Sequence, residues 1–436
     1  MWAVATIAHL AGNWNHGDIW PEPTLIGWLA LVGGIMATGL LVRPSRALLA
    51  ALCALIPALA VLEAPVLGNH WLLAAFVSVA YLLTAGVWER FEPTARIILL
   101  VFYGFAAFAK LNTGFLDPTT SCGVVYANQW LDGFGLRPIQ AAGPLGWVVA
   151  WGSAGVELAV PILLLIPRAR RWGVVLAVIF HGLISLDLQQ HFYDFTAVLL
   201  ALFVLFLPDT FHERLRSLAE RPSSSTLRVG RLLAATVGVS VTFSSVLPLS
   251  ARSGWWLTRG SFLWWTPYLA LITWAVVTSS AARSRLNWRL APAGVVLVAL
   301  VFLNGLTPYL ELKTAYGWNM YSNLVTVAGD SNHLIVTSTL PLRDGHERLV
   351  EVIETSDDGL QSYIDEGYLL PWPTFVSYVQ RHPEASVTYR IGDAISHTDR
   401  SPARVEPVPW WWRWMPLRAV HGDEPDRCQT GFLPGL

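Results

Sequence analysis

Long apolar runs separated by short polar connections occupy most of the chain, and each run approaches the ~20 residues that a helix needs to cross a hydrocarbon core. Ten such runs can be drawn: 24–41, 47–67, 71–87, 95–111, 145–166, 172–186, 192–207, 229–249, 262–279 and 290–307. The pattern predicts an all-α polytopic membrane bundle of about ten transmembrane helices over 24–308. The sixth and seventh runs are short, so tilted or partly re-entrant helices also fit them. Beyond Thr307 the chain turns polar, and 309–436 is predicted to form a small extracytoplasmic α+β domain with its tail. Alternation suggests strands at 333–340, 348–355 and 385–391, with one or two helical turns at 373–381. The tail 405–436 is rich in Pro, Trp and Arg, and its PWWWRWMP stretch (409–416) suits either the bilayer surface or its own domain.

Charge placement adds an orientation. The connections at 43–46, 89–96, 167–172, 208–231 and 281–289 hold most of the arginine. They alternate with Lys/Arg-poor segments at the N-terminus, 68–70, 112–143 and 188–191, and only 250–260, with two arginines, blurs the contrast. The positive-inside rule makes the arginine-rich set cytoplasmic, which predicts a multi-pass protein of the cell membrane with both termini extracytoplasmic. Residues 1–23 lack a basic stretch and a small-residue cleavage site, so they are expected to be retained as a segment lying along the interface.

Composition agrees with the bilayer as partner. Hydrophobic residues make up 54% and charged residues 14%, against about a quarter charged in soluble domains. Many of the 22 tryptophans sit beside run ends, as interfacial anchors do. The net charge of −1 gives no reason to expect nucleic acid. No Walker loop, GxGxxG at a strand–helix junction, CxxC or HExxH occurs, so nucleotide-driven and zinc-protease chemistry have no support and no metal is implied. Of the three cysteines, Cys53 lies inside a run, whereas Cys122 and Cys428 both fall on the expected outer side, where disulfides persist, and are a candidate pair.

Ionisable groups inside apolar runs need a reason. Lysine occurs only at positions 110 and 313. Arginine supplies positive charge everywhere else, and lysine differs from it in offering an amine that can lose its proton. Lys110 shares a helix face with Tyr103, Ala106 and Ala107; it is either a snorkelling interfacial lysine or a chemical group. Lys313 is expected to mark the membrane edge. Glu157 and His181 fall mid-run, each either a hydrogen-bonded packing residue or part of a polar cavity. Asp187, His191 and Asp194 follow His181 as loop polarity or as the rim of a site. Asn69 and His70 fit a helix start with an interfacial histidine, and Glu63 precedes them at the same expected side. All of these converge on the outer half of the bilayer.

The stretches AKLN (109–112), FLDP (115–118), SC (121–122), WGSAGVELAVPILLLI (151–166) and FHGLIS (180–185) occur in an order that resembles the horizontally transferred transmembrane domain. This is the membrane core of the vitamin K-dependent gamma-glutamyl carboxylases and of related bacterial proteins. The NH pair (69–70), WNMYSNL (318–324), SNHLIV (331–336) and VTYR (387–390) fit the same pattern. The resemblance implies a reduced quinone of vitamin K hydroquinone type, with O2 and CO2, as cofactor and co-substrates, and a protein or peptide glutamate on the outer face as a possible substrate. It implies Lys110 as a general base, with His181 and Glu157 as further catalytic candidates. Tyr103, Asn112, Asp117, His70 and Ser185 are the candidate contacts for substrate or cofactor. Two features depart from the carboxylases: no histidine counterpart stands around 87–92, and 309–436 is far smaller than their luminal region. The expected function is therefore quinol-linked oxygenation or carboxylation-type chemistry in an outward-facing intramembrane cavity. A proton-coupled transporter, or a membrane protein that binds lipids or small molecules without catalysis, is the rival.

Overall fold

The computed structural model describes residues 1–12, 24–65, 67–219, 225–247, 251–279, 286–398 and 406–429. It opens with α1 (Trp2–Gly12), α2 (Leu25–Val42), α3 (Arg46–Glu63), α4 (Asn69–Leu83) and α5 (Trp88–Phe108). Two short helices follow, α6 (Thr113–Leu116) and α7 (Cys122–Gly133), before α8 (Pro144–Leu165), α9 (Arg170–Ile184) and α10 (Phe192–Phe203). Then come α11 (Asp209–Ala219), α12 (Ser225–Val246), α13 (Ala251–Gly260), α14 (Phe262–Val277) and α15 (Pro292–Leu306). Local chemistry sets many starts: Thr24 accepts from Gly27 N at 3.0 Å, Asn112 from Phe115 N at 2.8 Å, and proline opens α8 and α15.

Every one of the ten expected runs contains a helix. Among the described residues, six segments are both long and apolar enough to cross a membrane: Leu25–Val42, Arg46–Glu63, Trp88–Phe108, Pro144–Leu165, Arg228–Val246 and Leu257–Val277. Helices α4, α9 and α15 have 15 residues each and α10 has 12. At 1.5 Å per residue these cover roughly 18–22 Å, short of a hydrocarbon core about 30 Å thick. Large apolar side chains of the long helices, among them Leu25, Leu145 and Leu263, point outward, as a lipid-facing surface requires. The protein is membrane-embedded by this measure.

Helix α1 departs from expectation. Instead of lying along an interface, it has nine of its eleven residues buried and packs on α2, α10 and α12. Its alanines at 3, 5, 8 and 11 let neighbours approach on several sides, and a helix that is apolar all round belongs inside a bundle. Residues 13–23 of that expected segment, and parts of the expected arginine-rich connections, lie outside the described residues. Helices α2 and α12 approach closely through a reciprocal device. A Cβ on Gly34 would fall within the Thr242 side chain, and one on Gly238 would meet Thr38. Each helix thus presents a glycine and a threonine four residues apart to the other.

The C-terminal region begins with a hairpin, β1 (Thr326–Val327) and β2 (Asp330–Ser331), turned through Ala328 and Gly329 at positive φ. The remaining elements are β3 (Leu349–Thr355), α16 (Asp358–Glu366), β4 (Tyr368–Pro371), α17 (Trp372–Arg381), β5 (Val387–Ile391), β6 (Ala394–His397) and β7 (Val420–His421). The five longer-range strands form an antiparallel sheet in the order β6-β5-β3-β4-β7. Val350, Val352, Leu370 and Val387 of the sheet pack against Leu360, Phe375, Val376 and Val379 of the two helices. The runs 348–355 and 385–391 become β3 and β5, but 333–340 is no continuous strand and makes only isolated bridges, Asn112 to His333 and Asp330 to Ser338. The His333 ring takes over that backbone: Nδ1 accepts from the N–H groups of Ile335 and Val336 at 3.0 and 3.1 Å, and Nε2 donates to Phe108 O at 2.9 Å. The tryptophan-rich tail docks on the bundle. Arg413 donates to Leu62 O and Ala64 O at 2.9 and 3.0 Å, and Trp414 Nε1 donates to Val61 O at 3.1 Å, all at the end of α3.

Candidate functional site

Helix α5 ends at Phe108, and the turn after it carries Lys110 across to α8. There Nζ lies 2.8 Å from Glu157 Oε2, with both side chains largely buried. The ammonium also sits 3.5 Å from the carbonyls of Ala106 and Met320, and 5.5 Å from the centre of the Phe115 ring. Seven residues before Lys110, on α5, the Tyr103 hydroxyl and His181 Nε2 of α9 share a hydrogen bond of 2.9 Å. The backbone oxygen of His181 accepts from Thr196 Oγ1 at 3.1 Å, which ties α9 to α10.

These four side chains line one cavity of about 370 Å³. Its walls are otherwise mainly aromatic and aliphatic: Phe102, Phe115, Tyr126, Phe180, Phe192, Phe195 and Tyr321 stand around the polar groups. Sites for small molecules have this size and this mixture of apolar wall with few polar groups. Two atoms of the lining residues, His181 Nδ1 and Asp187 Oδ2, are buried without a hydrogen-bond partner. Buried polar groups are ordinarily paired, so these two are open to a polar group of a ligand. Asp187 uses its other oxygen to accept from the backbone of Gln189 and Gln190 at 2.8 and 3.1 Å.

The roof comes from the C-terminal region. Cys122 at the start of α7 and Cys428, 306 positions later in sequence, form a disulfide with Cα atoms 4.9 Å apart. Asn323 accepts from Cys122 N at 2.9 Å and donates to the backbone oxygens of Thr120 and Asp426 at 2.8 and 2.9 Å. That lock holds Met320 and Tyr321 over the cavity, with the Tyr321 ring 4.7 Å from Tyr126. Neighbouring Trp318 is fully buried; its N–H donates to Asn69 Oδ1 at 3.0 Å and its indole to Val301 O at 2.7 Å.

Several sequence candidates sit elsewhere. Asn112 caps α6 and donates to Ala109 O and Ser322 O, which makes it a tether between the two regions and leaves it outside the lining. Asp117 is exposed, its Oδ1 taken by Thr119. Ser185 is buried between Gly182 O and the Trp265 indole. His70 sits at the expected helix start, in the first turn of α4, but turns inward: its Nε2 lies 2.8 Å from Asp194 Oδ2, and the Phe195 ring stands between it and His181. Lys313 lies just past α15, is buried, donates to Asn304 Oδ1, and desolvation pulls its pKa down to about 8. Tyr126, Tyr321 and the α10 aromatics were not singled out from the sequence. Tyr126 stands four residues after Cys122, one helical turn along α7, which is the one spacing signal that pointed to it. Comparison with protein-family models, curated proteins and solved structures finds no match to this chain.

Proposed function

We propose that the protein is a membrane enzyme akin to the vitamin K-dependent carboxylase core, in which Lys110 is the general base toward a lipid-soluble quinol bound in the cavity. The observation that carries this reading is the buried Lys110–Glu157 pair, 2.8 Å apart in an aromatic-walled cavity with Tyr103 and His181 beside it. The lining suits a flat hydroquinone: aromatic rings for its faces, and His181 Nδ1 and Asp187 Oδ2 for hydroxyl groups. The quinol, with oxygen as oxidant, supplies the reducing chemistry and the strong base.

The chain's own residues handle the first proton. A proton passed from Lys110 Nζ to Glu157 Oε2 across their 2.8 Å contact leaves a neutral amine, and that amine takes the proton of a quinol hydroxyl. Tyr103 and His181 orient that hydroxyl. The cavity walls and the disulfide-held roof keep water from the base. The finer topology belongs to the same proposal: ten spans in the cell membrane, both termini extracytoplasmic, the cavity opening outward, with carboxylation of an outer-face glutamate or plain quinol oxidation as the outcome.

The test is oxygen consumption by the purified full-length protein with a reduced naphthoquinone. Wild type should consume oxygen. Lys110→Arg should lose at least ~100-fold of that rate although the charge remains, since guanidinium cannot supply a neutral amine and general-base contributions are of that order. Equal rates in Lys110→Arg, or no dependence on quinol in the wild type, overturn the reading. A Glu157→Gln variant that uncouples solute uptake from pH, with no oxygen consumed, would support a transporter in its place.

A further inference from the structure

Away from the cavity, three helices bring nitrogen and oxygen donors to one point. His9 Nδ1 from α1 lies 3.0 Å from Asp194 Oδ2 in the first turn of α10, and His70 Nε2 from the first turn of α4 lies 2.8 Å from the same oxygen. The three donor atoms all fall within 4.8 Å of one another. The His9 and Asp194 side chains are 5% and 1% exposed, while His70 at 14% leaves a way in. We propose that His9, His70 and Asp194 form a binding site for one divalent transition-metal ion of the zinc class.

The geometry fits such an ion. A tetrahedral ion with bonds near 2.0–2.1 Å holds its donors about 3.3 Å apart, so the two nitrogen–oxygen separations of 3.0 and 2.8 Å need to open by only a few tenths of an ångström. Two imidazoles and a carboxylate suit zinc, cobalt, nickel or iron, whereas calcium and magnesium require mostly oxygen donors. A second observation is independent of the donor triad. The far nitrogen of His9, Nε2, faces Glu63 Oε2 at the end of α3, 3.7 Å away. A metal-ligating imidazole characteristically turns its other N–H toward a carboxylate, which fixes its tautomer and strengthens it as a donor. Trp71 stacks on the same ring, with centroids 3.7 Å apart and planes 12° from parallel, and locks its orientation. A divalent ion would also offset the negative charge of the Asp194 and Glu63 carboxylates that face the His9 ring.

The ion would tie α1, α4 and α10 together, with α3 behind them. Helix α10 also presents Phe192 and Phe195 to the cavity, so the site would hold that wall in place without sharing its polar groups. The inference stands independently of the quinol reading, because none of its donors lines the cavity.

Full-length protein purified in detergent and stripped with chelator should bind one equivalent of Co2+, giving visible ligand-field bands of tetrahedral intensity that Zn2+ abolishes. Zn2+ should also raise the melting temperature of the stripped protein. His9→Gln and His70→Gln should each weaken binding by at least ~10-fold, and so should Glu63→Gln, because carboxylate partners of metal-bound histidines contribute about 10–100-fold in affinity. Absence of ligand-field bands in the wild type, or undiminished binding in the His9→Gln, His70→Gln double variant, overturns the proposal in favour of a purely hydrogen-bonded histidine–aspartate–histidine cluster. The wild-type titration decides by itself if a variant fails to fold.

Discussion

At the scale of single residues, Lys110 and His333 show two ways in which one side chain joins the two regions. Lys110 reaches from the turn after α5 to Glu157 on α8 and approaches the Met320 carbonyl of the roof. His333 works from the other side, its ring accepting from two backbone amides while donating to the last turn of α5. That arrangement requires a neutral ring, and burial lowers the His333 pKa below its usual 6.5. Because the folded pKa is the lower one, the unfolded state binds more protons between the two values, and stability falls as pH drops below about 6.5. The melting temperature should therefore decline from pH 8 to pH 5, and His333→Asn should flatten that decline while lowering the melting temperature at pH 8. An unchanged pH slope in the variant would remove His333 from this role. Scarcity made Lys110 legible in the sequence, and position inside apolar runs did the same for Glu157 and His181. His9 was invisible for the opposite reason: a lone histidine in a short apolar stretch has many packing explanations, and its partners lie 61 and 185 positions away in the chain, at His70 and Asp194.

Among the elements, the pairing of α2 with α12 is the plainest case of sequence detail deciding geometry. Gly34 and Thr38 face Thr242 and Gly238, so each threonine side chain fills the space that the opposite glycine leaves and the helices approach closely. Gly34→Val should destabilise the protein by about 1–3 kcal/mol, the usual effect of overpacking. Adding Thr242→Gly should restore much of the loss, measured as thermal unfolding in detergent; a double variant no better than the single one would show that the contact does not set the helix spacing. The segment 333–340 teaches the converse. Its alternation suited a strand, but a strand needs a partner, and here the backbone is engaged by the His333 ring and by Asn112 of the membrane region. Likewise an apolar 11-residue helix looks the same at an interface or inside a bundle, and only the alanine-lined packing on α2, α10 and α12 places α1.

For the whole molecule, the roofed cavity depends on a link between distant parts of the chain. The Cys122–Cys428 disulfide joins positions 306 apart and clips the tail to α7, as the proposed placement of both cysteines on the outer side requires. The proposed topology therefore predicts that a cysteine introduced at Glu384, whose side chain is 73% exposed, is labelled by an impermeant maleimide on intact cells. A cysteine at exposed Arg168, between α8 and α9, should react only after the membrane is permeabilised. Labelling of both from outside would overturn the orientation.

Hydropathy and charge along the chain were enough to establish an embedded helical protein with a polar C-terminal region, because lipid burial imposes long apolar runs that any reading frame of composition detects. They also marked the intramembrane lysine, glutamate and histidine, since each is expensive there unless it has partners. Only the tertiary structure decided which partners: Lys110 with Glu157, Tyr103 with His181, and His9 and His70 with Asp194. Those pairings join residues on different helices, and helix-to-helix register is set by packing of side chains that are far apart in sequence, which no local periodicity encodes.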